Sequence, residues 1–247
     1  MRDINELVDV PVPSWPGLAA DLASSFTPSA VLSPDPAQCR ATMLQLQVTA
    51  RSALGAIALN TGGIVLFDGW LRLFGGSGGG PAGLPGMAEV NCFPAGVEPD
   101  WSPPGGLVVA QDVLGGVFSL NGLEPAEHGR PGDPGEVVYF SPCTLEWATL
   151  ELRHSQWLYW IVSGGCAGFY HDLLWPTWRT EVAALHPRDG ISVDPFLWTE
   201  QAQGDMSSTT RRAVPMEQLM ETHKVLCAQL SFDDPGFLGE YRVVTAD

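Results

Sequence analysis

The sequence predicts an α+β fold: an antiparallel β-sheet meander flanked by N-terminal and C-terminal helices. Three observations carry this. Apolar residues recur at helical spacing before residue 50 and again after 153, whereas the stretch between them is built of short apolar runs parted by Gly, Pro and Asn. Those runs follow one another as hairpin-linked strands do, without the alternating helices of a Rossmann core. At 247 residues and 45% hydrophobic composition, the chain can bury one large core. Residues 1–230 read as a single domain, and 231–247 as a tail that either docks as a strand through "EYRVV" or stays loose.

The elements follow in order. In "SWPGLAADLASSF", Ser14 takes a capping position and Pro16 falls in the first turn, where a missing N–H costs nothing; Leu18, Leu22 and Phe26 then share a face. "SPDPAQCRATMLQLQ" repeats the arrangement with Asp35 and Pro36, and sets Met43, Leu44 and Leu46 beyond Cys39 on a second buried face. From residue 52, "ALGAIALNTGGIVLFDGWLRLFGG" reads as three strands of a tight meander, parted by Asn60-Thr61-Gly62-Gly63 and by Asp68-Gly69. Residues 75–105 hold too much Gly and Pro for regular structure and form a loop of the length that is usually functional or mobile. Strands follow at "LVVAQD" (107–112), "GVFSLN" (116–121) and "EVVYFS" (136–141), with "LEWATLEL" (145–152) as a seventh. Beyond 153 the chain turns helical. "HSQWLYWIVSGG" is opened by Ser155 and stopped by Gly164-Gly165, "GCAGFYHDLLWP" and "PTWRTEVAALHP" are bounded by proline, and "VPMEQLMETHKVLCAQL" lays Met216, Leu219, Met220, Val225, Leu226 and Leu230 in one stripe.

Charge and cysteine usage narrow the classes of function. Twenty-eight acids against 12 bases give a net charge of −16, which repels phosphate backbones and anionic headgroups, so neither nucleic acid nor a membrane surface is an expected partner. Runs such as "WLYWIV" are far shorter than the roughly 20 residues of a membrane-spanning helix. The opening "MRDINELVDV" carries acids where a secretory leader carries bases and then an apolar run, so a cytoplasmic protein is expected. Five cysteines without a C-x-x-C pair, and five histidines without H-x-x-x-H spacing, indicate no disulfide framework, no metal and no cofactor.

"LQVTARSALGAIALNTGGIVLFDGWLRLFGGSG", "GGVFSLNG", "VYFSPCTLEWATLELRHSQWLYWIVSG", "FYHDLLWPTWR" and "RRAVPMEQL", taken in this order over residues 1–230, resemble the bacterial domain-of-unknown-function family 2625 (DUF2625). The sheet segment and the helix after it also resemble the SUKH superfamily. There, a strand ending in an acid and a glycine turn precedes a tyrosine-bearing strand and an "SFxxFL"-type helix, whose place "HSQWLYWIV" takes. The resemblance implies a SUKH-like fold and an immunity or scaffold role; it assigns no catalytic residue.

The loudest stretch is "DVLGGVFSLNG" at 112–122. Gly115-Gly116 supplies the freedom of a turn and Asn121-Gly122 the residues that a type I′ turn prefers, so a hairpin accounts for it; the functional reading has Asp112 and Asn121 face a groove and bind a small ligand. "GGSGG" at 75–79 matches the G-x-S-x-G pattern of a hydrolase elbow with Ser77 as nucleophile, but "GPAGLPG" after it is not the helix that an elbow requires. His171-Asp172 is the one tight polar pair, on adjacent positions that point to different sides of a helix. Trp157, Trp160, Trp175 and Trp178 read as core, while Trp70, Trp101 and Trp147, near loops or strand ends, would mark an interface if exposed together. Arg211-Arg212 pairs with the chain's own carboxylates. The function expected is a non-enzymatic protein-binding module of the immunity or scaffold type, with a positively charged protein as partner. The alternatives are a serine hydrolase using Ser77 and a small-ligand binder at the 112–122 hairpin.

Overall fold

A computed structural model describes residues 1–80 and 82–241. Its centre is a seven-stranded antiparallel sheet whose order in space is the order in the chain: β1 (Ser29–Leu32), β2 (Gly63–Leu66), β3 (Leu71–Phe74), β4 (Gly106–Asp112), β5 (Val117–Asn121), β6 (Glu136–Ser141) and β7 (Glu146–Arg153). The class is the expected α+β, yet one strand differs. "ALGAIALN" is not a strand but helix α4 (Ala53–Asn60), because Ser52 caps it, its Oγ accepting from the Gly55 N–H at 3.0 Å, and because alanine and leucine favour a helix. The sheet recruits Ser29–Leu32 instead, pairing Ser29 with Leu66 through to Leu32 with Gly63. Those four residues lie in a segment whose helical signals come from either side of them.

The N-terminal helices are α1 (Ile4–Val8), α2 (Trp15–Ala23) and α3 (Pro36–Leu46). Asp3 and Glu6 form a capping box on α1, which periodicity overlooks in so short a helix. Ser14 makes no side-chain cap on α2; its hydroxyl donates to the Arg51 carbonyl. Because α2 ends at Ala23, Phe26 leaves the buried face and is 90% exposed. On α3, Asp35 caps as expected, accepting from the Ala37 and Gln38 N–H groups at 2.9 and 3.0 Å.

After β7 come α6 (His154–Val162), α7 (Gly165–Phe169) and α8 (Trp178–Ala183), the short α5 (Met87–Val90) lying earlier in the long loop. The α6 entry is set by Gln156, which accepts from the Arg153 N–H at 2.9 Å, and not by Ser155. A second, two-stranded sheet then interrupts the expected run of helices: β8 (Asp189–Asp194) and β9 (Thr210–Pro215), with α9 (Glu200–Gly204) between them. The last helix is α10 (Met216–Gln229). At about 100° per residue, Val225 falls opposite Met216, so it is 43% exposed, and His223 and Cys227 complete the buried face in its place.

Register sorts the sheet into two faces. Ala30, Val65, Arg72, Gln111, Val117, Phe140 and Trp147 form one cross-strand row, and Val31, Ile64, Leu73, Ala110, Phe118, Tyr139 and Ala148 the neighbouring row on the opposite face. The Phe118 face carries α6 and α7, with Phe118 5.2 Å from Trp157 and Tyr139 5.0 Å from Phe169. The Gln111 face carries α10 and residues 231–241. Those residues dock through their main chain: Gln111 Nε2 donates to the Leu238 carbonyl at 2.9 Å, Arg130 Nη2 to Phe237 at 2.9 Å and Trp147 Nε1 to Pro235 at 2.9 Å. They pair with no strand, and the rest of the "EYRVV" segment, from residue 242, lies outside the described residues. Among the described residues, no helix is long and apolar enough to cross a membrane.

Two histidines sit in this core. His154 and His223 are buried, neither Nδ1 has a partner, and burial holds both pKa values down to about 4 from 6.5. The unfolded chain takes up protons below 6.5 while the folded chain resists until about 4, so stability is full above that window and is lost as pH falls through it. The loss reaches at most ~3 kcal/mol per histidine. Urea unfolding midpoints are expected to fall between neutral pH and pH 4, and His223→Leu to show the shallower slope.

Candidate functional site

The β4–β5 hairpin is built around Asp112. Its Oδ1 accepts from the N–H groups of Leu114 and Gly116, both at 2.9 Å, and its Oδ2 from the hydroxyls of Tyr139 at 2.8 Å and Tyr170 at 3.2 Å. The residue is wholly buried. Burial pushes its carboxyl above the ordinary range, opposed by these four hydrogen bonds, and burial with the neighbouring Asp112 charge pushes both tyrosines well above theirs. The glycine pair makes the room. A Cβ on Gly116 would lie 2.2 Å from both Asp112 Oδ2 and the Tyr139 hydroxyl, and Gly115 has φ +87°. Asp112 therefore faces no groove: the stretch that reads as a ligand loop is a sealed turn.

Asn121 does not open a tight turn either. Neither Asn121 nor Gly122 takes a positive φ, and the chain runs on through residues 122–135 before β6 begins. The Asn121 amide donates to the Pro131 carbonyl at 2.8 Å and so shapes that loop.

The tryptophans separate. Trp70 is wholly buried, its ring centroid 5.4 Å from Tyr170, 5.6 Å from Trp175 and 5.5 Å from Trp178. Trp147 is half-buried under the Arg130 guanidinium, 4.4 Å above its ring, and Trp101 packs on Phe93 at 4.6 Å. The expected interface of Trp70 with Trp101 and Trp147 does not form, because Trp70 closes the core. Trp157, Trp175 and Trp178 are core, and Trp160 is half-buried.

Ser77 lies in the irregular segment between β3 and α5, its Oγ accepting from the Asp35 N–H at 2.9 Å and donating to the Gly78 carbonyl at 3.2 Å. The glycines around it serve close packing: a Cβ on Gly76 would lie 1.9 Å from the Ala58 carbonyl oxygen of α4. The cleft beside Ser77, of about 300 Å³, is lined by Thr42, Gln45 and Glu89 and, among the described residues, by no histidine. His171 and Asp172 do reach each other, at 2.9 Å, but stand 81% and 92% exposed on the single helical turn His171–Leu173. Arg211 pairs with Glu181 at 3.3 Å and stacks on Trp175 at 4.7 Å; Arg212 is exposed. Cys39, Cys143, Cys166 and Cys227 form no disulfide, and the described residues hold no group of three His, Cys, Asp or Glu placed to share a metal.

A larger feature lies along α10, where sequence reasoning saw only a buried stripe. A groove of about 1000 Å³ runs between the helix, Phe196 and Gly239-Glu240. Its floor is apolar, with Met220 and Leu226, and Phe196 and Val225 stand 37% and 43% exposed within it. Glu217, Glu221 and Glu240 rim it against one base, Lys224. The signal was available in the position of Val225, half a turn away from the stripe it had been assigned to.

The family model described as "Protein of unknown function DUF2625" matches residues 4–219. The chain is 31% identical over 221 residues to the uncharacterized protein YbfG of Escherichia coli strain K12, covering 90% of this chain and 95% of that one. It is 29% identical over 225 residues to an uncharacterized protein of Haemophilus influenzae, covering 90% and 92%. No solved structure matches the chain.

The Asp112 network sets a graded expectation. Asp112→Ala strands two N–H and two O–H donors and should cost about 3–5 kcal/mol. Asp112→Asn keeps one acceptor oxygen and offers the tyrosine hydroxyls a donor instead, and should cost less. Gly116→Ala should destabilise by about 3 kcal/mol through overpacking. Urea denaturation of the three variants checks both the size and the order.

Proposed function

The chain belongs to the DUF2625 family, and from that premise and the geometry above we propose that it is a non-enzymatic protein-binding module, of the immunity or scaffold type, that seats a basic protein segment on the α10 groove. The observation that carries the reading is the groove itself: an apolar floor with exposed Phe196 and Val225, inside a rim of Glu217, Glu221 and Glu240. Burying an apolar anchor supplies affinity, and the acidic rim selects a partner of opposite charge. The net charge of −16 adds long-range attraction for the same partner and repels nucleic acid. The SUKH-like order of acid, glycine turn and tyrosine strand supports the same class of role. Cys39, Cys143, Cys166 and Cys227 form no disulfide, which supports a reducing compartment such as the cytoplasm.

The test compares three immobilised proteins: the natural chain, a Glu217→Gln/Glu221→Gln/Glu240→Gln variant and Val225→Asp. A basic protein retained by the first and lost by the other two is expected. Its association rate should fall as ionic strength rises through the physiological range, where the Debye length is about 8 Å. An acidic captured protein, equal retention by all three, or an association rate indifferent to salt overturns the reading.

A further inference from the structure

On the Gln111 face of the sheet, α10 and residues 231–241 stop short of the first three strands. A second groove, of about 500 Å³, opens there. That volume lies within the range of small-molecule sites. Its floor is Ala30, Val65 and Arg72, which share one cross-strand row; Leu84 stands on one side, Val182 and Leu185 on the other.

Arg72 is the anomaly in this apolar setting. It is only 4% exposed, and no carboxylate forms an ion pair with it among the described residues. Its Nη1 donates to the main-chain carbonyls of Pro187 at 2.9 Å and Asp189 at 2.6 Å, which fixes the plane of the guanidinium. Nε and Nη2 carry no hydrogen bond to a described residue, and Arg72 is among the residues that line the groove. Burial pulls the Arg72 pKa down, with Tyr241, Asp189 and Asp112 pulling it back up. An arginine is always charged, and a desolvated charge with two donors in a planar fork is complementary to two oxygens in a plane. The carboxylate at the rim, Asp68, does not compete, because Arg179 holds it at 3.0 Å.

We propose that this groove binds a monocarboxylate with an apolar body, its two oxygens on Nε and Nη2 of Arg72 and its aliphatic or aryl part against Val65, Leu84, Val182 and Leu185. A single guanidinium balances one charge, and the apolar walls offer no donors to a dianion. The site is separate from the α10 groove, and its test is independent of any protein partner.

Isothermal titration of the full chain with octanoate, 1-octanol and octylamine tests it. Octanoate is expected to bind about tenfold or more tightly than the alcohol, the effect of a charge-assisted pair, and the amine not to bind. Arg72 variants also release Pro187 and Asp189, so the decisive variant is Ala183→Trp, a change at an exposed lining position that fills the groove and leaves Arg72 in place. It should abolish octanoate binding while the melting temperature stays within a degree or so of the natural chain's, as for most surface substitutions. No saturable octanoate binding at millimolar concentration, equal binding of acid and alcohol, or unchanged binding to a folded Ala183→Trp overturns the proposal.

Discussion

The Asp112 carboxylate is the group on which the centre of this molecule depends. A carboxylate only accepts hydrogen bonds, and one taken out of water must find donors for both oxygens or lose several kcal/mol. Two donors come from the turn that follows it, and two from tyrosines on β6 and after α7. Three decisions are thereby tied together: the shape of the β4–β5 turn, the register of β6 and the seat of the helical layer. Shifting β6 by one residue would carry Tyr139 to the other face of the sheet and leave Oδ2 short of a donor. Hydrogen bonds to a charged acceptor contribute roughly 1.5–3 kcal/mol each, which offsets desolvation only when they form together. The hairpin, β6 and the Tyr170 segment should therefore unfold as one unit.

The opposite face solves a different problem. Arg72, Gln111 and Ser119 project from the sheet and are buried, and their partners are largely main-chain carbonyls and one arginine. Pro187 and Asp189 serve Arg72, Leu238 serves Gln111, and Arg130 joins Ser119 to Phe237. Asn91 adds to the same economy, donating to the Val108 carbonyl and accepting from its N–H at the register shift in β4. Residues 231–241 need no strand pairing because these side chains bind their carbonyls one by one. Such a cover is discontinuous, and its gaps coincide with the two grooves: one beyond the end of the cover over β1–β3, the other along the outer side of α10.

Several features were legible from local chemistry. Asp35 with Pro36 marks a helix start because an N-cap side chain reaches only the next turn. The strands at 107–112, 116–121 and 136–141 emerge from short apolar runs between turn residues, and the Trp157, Trp175 and Trp178 side chains are too large to go anywhere but between layers. The errors share a cause. "ALGAIALN" satisfies a short apolar run and a helix equally well, and the serine that decides between them precedes the run. β1 has no pattern of its own and exists because β2 offers it an edge. Asp112 is a binding candidate in the sequence because it opens a glycine-bearing turn, and Trp70 because it lies near a strand end, but a glycine beside a buried acid makes room for it as readily as it makes a loop.

By itself the sequence determined the fold class, most of the strands, the Asp35 cap of α3, the excess of acids and the family, all of which rest on residue types and on spacings within a few positions of one another. Only the tertiary structure decided which side chains are sealed and which are open: that Asp112 is enclosed by tyrosines 27 and 58 residues away, that Val225 faces outward, and that Nε and Nη2 of Arg72 have no hydrogen-bond partner among the described residues. The physical reason is that burial is a property of what covers a residue. The covering elements lie far along the chain, and the free energy of covering is summed over contacts that no local window contains.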